Sequence, residues 1–132
     1  MKRLISVVLI VILWACSNIA VSETADIIMA DPVFHSASAM LSTRKDVSFD
    51  FSTTSTVSYI MTTRCWLQKK IGNYWIWVKE LEAPDVIATN TAFYGAFMDY
   101  AADIGTGTYR VGYTAKADGH SITRYTNSRT FD

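Results

Sequence analysis

Residue types that do chemistry are sparse in this chain of 132 residues, and their spacing brings few of them together. A zinc site needs clustered His, Cys or carboxylate ligands. The histidines are His35 and His120, far apart, and the cysteines are Cys16 and Cys65. Asp99 and Asp103 could both reach a calcium ion across a bent loop, with backbone carbonyls helping. No EF-hand or repeat-type calcium pattern surrounds them, so a solvated loop is the simpler reading. No serine sits in a Gly-x-Ser-x-Gly elbow. Cys65 and His120 can be drawn as a dyad, but Cys65 lies in an apolar strand, where a thiol is inert and its pKa rises. Glu80, Glu82 and Asp85 are close in sequence, whereas glycoside hydrolysis needs two acids facing each other across a cleft. No set of residues reaches the stage of assigned catalytic roles. The expectation is therefore a non-catalytic protein with no catalytic residue, cofactor or metal.

What stands out instead is aromatic. If Gly72-Asn73 is a two-residue hairpin turn, partners on its two arms have numbers summing to 145. Cys65 then faces Glu80, Trp66 faces Lys79, Leu67 faces Val78, Gln68 faces Trp77 and Lys70 faces Trp75. Cys65, Leu67, Tyr74, Ile76 and Val78 share one face. Trp66, Trp75 and Trp77 share the other, interleaved with Lys70, Lys79 and Gln68. An exposed strip of this kind stacks on sugar rings or seeds a protein interface. Trp66, Trp75, Trp77 and Lys79 are accordingly the candidate ligand-binding residues. The competing reading places one or more of these tryptophans in the core, because a register slip of one residue exchanges the two faces.

The elements that must position this strip are strands. Val47, Phe49 and Phe51 alternate with Ser48, Asp50 and Ser52, the pattern of a half-buried strand. Ser36 to Leu41 is a weaker strand before it, and Thr53 to Thr56 reads as a loop. Val57 to Lys70 is long for one strand, so a bend or bulge is expected near Met61 to Arg64. Tyr74 to Leu81 is the returning arm of the hairpin. Glu82 to Asn90, with Pro84, is a crossing connection, and Thr91 to Tyr100 is a strand weakened by Gly95. In Gly107 to Ala117 the alternation is cleanest, with Tyr109, Val111, Tyr113, Ala115 and Ala117 on one face. Asp118-Gly119 is a hairpin turn, and His120 to Phe131 is a polar, Thr-rich edge strand. Six to eight strands with this turn chemistry point to an all-β fold, an antiparallel β-sandwich of Greek-key, immunoglobulin-like type. The Gly-rich turn into Tyr109 has the placement of a tyrosine corner, although Tyr109 also reads simply as the first core residue of its strand.

Lys2 and Arg3, the apolar run from Leu4 to Ala15 and the small residues Ala20-Val21-Ser22 make a secretory signal peptide over residues 1–22. Residues 23–33 follow as a leader and residues 34–132 as the β domain. The location implied is secreted, extracellular. Leu13-Trp14-Ala15-Cys16 resembles a bacterial lipobox, which leaves Cys16 as a lipidation site and the product as a cell-membrane lipoprotein. An uncleaved anchor is the third fate. Removal of Lys2 and Arg3 leaves the exported chain at a net charge of −2. It contains no basic run, so nucleic acid is not an expected partner, and the membrane is touched only through the signal peptide or a lipid on Cys16. Cys65 is left without an intrachain partner, which excludes a disulfide scaffold.

From Ala37 to Ser128 the chain resembles small exported β-sandwich proteins of Gram-positive bacteria, a family with no assigned function. The likeness rests on Ile60 and the small polar run into Cys65-Trp66-Leu67, the glycine turn, Trp75 and Val78. It continues in Tyr109-Arg110-Val111, Tyr113-Thr114-Ala115, Asp118-Gly119 and Thr126-Asn127-Ser128. Met61 and Cys65 depart from the glycine and the aliphatic residue usual there. The resemblance implies a fold and no activity. The expected function is surface recognition of a protein or a cell-surface glycan. The alternatives are a membrane-tethered structural or interaction module and a small hydrolase.

Overall fold

A computed structural model describes residues 31–99 and 104–132. The expected signal peptide, the lipidation site Cys16, the leader up to residue 30, and Asp103 lie outside the described residues. The described chain is all-β. Its strands are β1 (Phe34–Leu41), β2 (Asp46–Ile71), β3 (Tyr74–Leu81), β4 (Ile87–Asp99), β5 (Gly107–Ala117), β6 (His120–Tyr125) and β7 (Arg129–Phe131). All pair antiparallel in one connected sheet. That sheet curls as a half-barrel, where two facing sheets were expected.

The difference comes from β2. Thr53 to Thr56 does not interrupt it as a loop, and the strand runs unbroken for 26 residues. Its first part is paired on one edge by β1 (Leu41↔Val47, Ala37↔Phe51) and on the other by β4 (Val47↔Met98, Phe51↔Tyr94). Its last part is paired by β5 (Leu67↔Val111) and by β3 (Lys70↔Trp75). Bulges let one strand serve both halves, because each extra residue bends the chain and increases its twist. The register shifts against β4 between Ser52 and Val57, and against β5 between Thr62 and Arg64, the latter inside the stretch where a bend is expected. Asn90, at φ 50°, lies just past the first of these, and β4 starts at Ile87 rather than at Thr91.

Both hairpin turns form as their sequences demand. Gly72 has φ 62°, and Asp118 and Gly119 have φ 47° and 83°, the left-handed pair that a type I′ turn requires. The segment from His120 onward divides into β6 and β7, which pair with opposite ends of β5. Tyr109 is buried and its hydroxyl donates to the Thr106 carbonyl at 3.3 Å, so it is both a core residue and a tie to the preceding turn.

The core lies in the concavity. Tyr94, Phe51 and Tyr113 form a continuous stack, with ring centroids 5.0 and 5.6 Å apart and planes within 9° and 12° of parallel. Phe49 meets Phe51 and Tyr113 edge-on, and Phe34 meets Phe51 edge-on. The stack ties β2 and β4 to β5, the two halves of the curl. The Tyr94 hydroxyl is satisfied in the interior, accepting from Thr62 Oγ1 at 3.1 Å and donating to the Val86 carbonyl at 3.2 Å.

Two polar clips fix β1. Asn127 acts as a short substitute strand at its end. Its Oδ1 accepts the Leu41 N–H at 2.8 Å and its Nδ2 donates to the Leu41 carbonyl at 3.1 Å. At the start of β1, Asp31 Oδ1 accepts the N–H groups of Val33 and Phe34, while its Oδ2 meets His120 Nε2 at 2.9 Å. Asn127→Ala leaves the N–H of buried Leu41 unpaired and is expected to cost about 1–3 kcal/mol. The check is a lower urea midpoint with an unchanged m-value. Burial raises the Asp31 carboxyl, but the Phe34 N–H, His120 and the Val33 N–H outweigh it and hold its pKa below the usual value. A depressed folded pKa stabilises fully above the unfolded value, about 3.9. That stabilisation fades as pH falls through the folded pKa. Asp31→Asn is expected to flatten the stability–pH curve below about pH 4, read from urea midpoints at each pH.

Candidate ligand-binding site

The hairpin of β2 and β3 sets the outer face of the half that contains β5. Its register follows the expected pairing from Ile71↔Tyr74 to Gln68↔Trp77, and then shifts by one residue. Beyond the shift Leu67 pairs with Lys79, Trp66 with Glu80 and Cys65 with Leu81. The bulge at Val78 therefore corrects the expected Trp66–Lys79, Leu67–Val78 and Cys65–Glu80 pairs. It places Lys79 opposite core-facing Leu67 and away from the tryptophans. Tyr74, Ile76 and Val78, expected on the core face, are exposed, because the end of the hairpin projects beyond the core.

The three tryptophans have different surroundings. Trp66 is buried at 7% exposure, flat against the sheet. Its indole lies so close over Gly112 that a β-carbon there would sit 2.2 Å from Cε2, so the missing side chain makes its seat. Tyr125 meets it edge-on at 6.1 Å, and the Arg64 guanidinium lies 4.6 Å from its ring. Arg64 is bonded to Glu80 through Nε at 2.9 Å and through Nη2. With a further hydrogen bond from Trp77, Arg64 holds the Glu80 carboxyl below the usual carboxylate range. Trp77 is 52% exposed, and Trp75 is half-buried.

Arg110 joins these groups. It is 8% exposed, and its guanidinium lies 4.4 Å from the Trp75 ring and 3.9 Å from the Tyr125 ring. Its Nε donates to Gln68 Oε1 at 2.7 Å. A guanidinium suits such a place better than an ammonium, because it is planar, weakly hydrated and stacks on aromatic faces. The arrangement is a ladder of rings and cations in the order Trp75, Arg110, Tyr125, Trp66 and Arg64, with Tyr125 and Trp66 in ring-to-ring contact.

One end of the ladder opens into a groove of about 510 Å³. Its walls are β1 from Ser36 to Met40 on one side and residues 124–128 on the other, with Trp75 and Arg110 at the end. Among the described residues β1 pairs with β2 alone, so the edge that faces the groove carries main-chain N–H and C=O groups not used by another strand. Arg124 also lines the groove, and its Nε is buried without a hydrogen-bond partner among the described residues. Scans against family models, curated proteins and solved structures match nothing.

Of the expected binding residues, the structure brings Trp75 to the groove, makes Trp66 a support behind Tyr125, leaves Trp77 on the outer surface, and puts Lys79 elsewhere. Arg110, Tyr125, Arg124 and Asn127 were not among the candidates. Alternation in β5 puts Arg110 on the face opposite Tyr109 and Val111, and nothing in its sequence neighbours announces the rings that enclose it. Cys65 and His120 are not brought together as a dyad, since His120 is held by Asp31. Burial, with the nearby Glu80 charge, pushes the Cys65 thiol up to about 12, which leaves it protonated and unreactive. Among the described residues no group of three His, Cys, Asp or Glu side chains could hold a metal ion.

The differing exposures give a direct check. Trp77→Phe is expected to lower the iodide-quenchable fraction of tryptophan fluorescence, whereas Trp66→Phe leaves it unchanged or raised. Equal effects from the two variants would contradict the surroundings described for Trp66.

Proposed function

We propose that this is an exported, non-catalytic recognition module whose groove takes up an extended segment of a partner protein at the cell surface. The observation that supports this most is the groove itself, a channel running along an unshared strand edge. Such an edge binds extended peptides by main-chain hydrogen bonding, and side-chain pockets beside it give specificity. Arg110 and Arg124 put two guanidinium groups at its wall, so the segment favoured carries a carboxylate. The rings of Trp75 and Tyr125 already have Arg110 against them, which counts against stacking of a sugar ring there. The tyrosine and tryptophan around the cation keep it fixed and partly desolvated, conditions under which a charge-assisted hydrogen bond discriminates best.

The test is binding of the purified protein to a peptide array and a glycan array in parallel. Retention of acid-containing peptides is expected, and weakened by Trp75→Ala and Arg124→Ala about tenfold or more each, on the scale of a charge-assisted contact. Lys79→Ala is expected to leave binding unchanged. Retention on the glycan array alone replaces this reading with a lectin-like one. Retention on neither refutes recognition at the groove.

A further inference from the structure

A second surface, on the opposite side of β2 from β1 and the groove, carries its own chemistry. On β4, Phe93 and Phe97 are 73% and 61% exposed, and Gly95 between them has nothing within 4 Å of where a β-carbon would be. Their partners on β2 are Ser52, Ser48 and Asp50, so the two rings stand beside small polar neighbours with no aromatic cover. Among the described residues β4 pairs with β2 alone, and its other edge is open. From Thr91 to Met98 it has no charge and no proline. Open edges normally carry charges, prolines or bulges that block pairing, and a long apolar edge without them is a template for another strand. The other open edges differ. β3 carries Lys79 and Glu80, β6 carries Arg124, and β1 shows serines beside the groove.

We propose that β4 pairs with β4 of a second copy of this chain, antiparallel and centred on Gly95. The sequence around Gly95 is suited to a two-fold axis. Phe93 of each copy then faces Phe97 of the other, twice, and Gly95 faces Gly95. Thr91 faces Asp99, so no like charges meet, and on the inner side Tyr94 faces Ala96 and Ala92 faces Met98. A two-fold contact of this kind is self-complementary and closes at two copies. Aromatic rings directly opposite each other on antiparallel strands are favourable pairs. The four rings supply up to about 500 Å² of aromatic surface. With the strand edges, the contact approaches the ~1,000 Å² at which specific association begins. A contact of this size belongs to the weak, concentration-dependent class.

The experiment is sedimentation equilibrium of the purified chain over a wide concentration range, with circular dichroism to verify the fold of each variant. The wild-type chain is expected to show a monomer–dimer equilibrium. Phe93→Asp and Phe97→Lys are each expected to raise the dissociation constant at least about tenfold, through loss of both ring pairs. The double variant places Asp opposite Lys across the two-fold axis, twice, and is expected to recover much of the loss. Within one copy these two positions lie four residues apart on an extended strand, about 13 Å, too far for a direct ion pair. Recovery therefore reports the register between copies. A chain that stays monomeric at all concentrations, as it would if this edge served a different protein, overturns the proposal. So does a double variant no better than the singles.

Discussion

Every strand is paired either to β2 or to β5, which is itself paired to β2, so the conformation of one 26-residue strand governs the whole sheet. Fully extended, that length spans about 85 Å, well over twice the diameter of a domain of about 100 residues. A strand so long inside so small a domain has to coil. Strand twist supplies the direction of coiling, and the bulges near Ser52–Val57 and Thr62–Arg64 supply the extra bend. The concavity this produces is filled by the stack of Tyr94, Phe51 and Tyr113. The stack supports the curl in turn, because Phe51 and Tyr113 belong to the halves that β2 joins.

The same curl explains why residues on the convex side of β5 are buried. Tyr109, Val111 and Tyr113 face the core as their alternation requires, but Arg110 and Gly112 between them are also buried. Trp66 covers Gly112 from β2, Tyr125 covers both from β6, and Trp75 reaches over from β3. A guanidinium enclosed this way loses water, a cost that is repaid only if other groups take water's place. Two ring faces and the Gln68 carbonyl oxygen do so. The glycine at position 112 is what makes the enclosure flat enough, since any side chain there would lift Trp66 and open the seat.

Local pattern was readable where a residue's type alone determines geometry. Asp118-Gly119 specifies a two-residue turn, and that fixes the register of β5 against β6, including Gly112↔Tyr125. Alternation in Gly107 to Ala117 correctly assigns the core face. Gly72 likewise fixes the first few pairs of β2 and β3. The pattern loses information at bulges. Val78 differs in no way from an ordinary strand valine, yet the extra residue there moves Lys79 to the other face and Glu80 to the tryptophans. In the same way, Thr53 to Thr56 looks like a polar loop, although its residues continue β2 where the register with β4 slips. The ladder was half visible for this reason. Its tryptophans come from the hairpin, but Arg110 and Tyr125 join them only through the pairing of β2 with β5, which no turn specifies.

Edges decide what such a sheet can do, because a half-barrel that does not close leaves main-chain groups for other strands. The open edges of this sheet are not equivalent. β1 is anchored at one end by Asp31 and at the other by Asn127, so the edge between them is held in place beside the groove. A fixed edge of this kind loses little conformational entropy when a partner adds to it. Among the described residues β4 pairs with no strand on its outer side, and its two exposed phenylalanines are placed symmetrically about Gly95. The two edges lie on opposite sides of β2 along the stretch from Val47 to Phe51, where β1 and β4 both pair with it. Occupation of one therefore leaves the other open, and a strand added at β1 and a copy added at β4 would extend the same sheet in opposite directions.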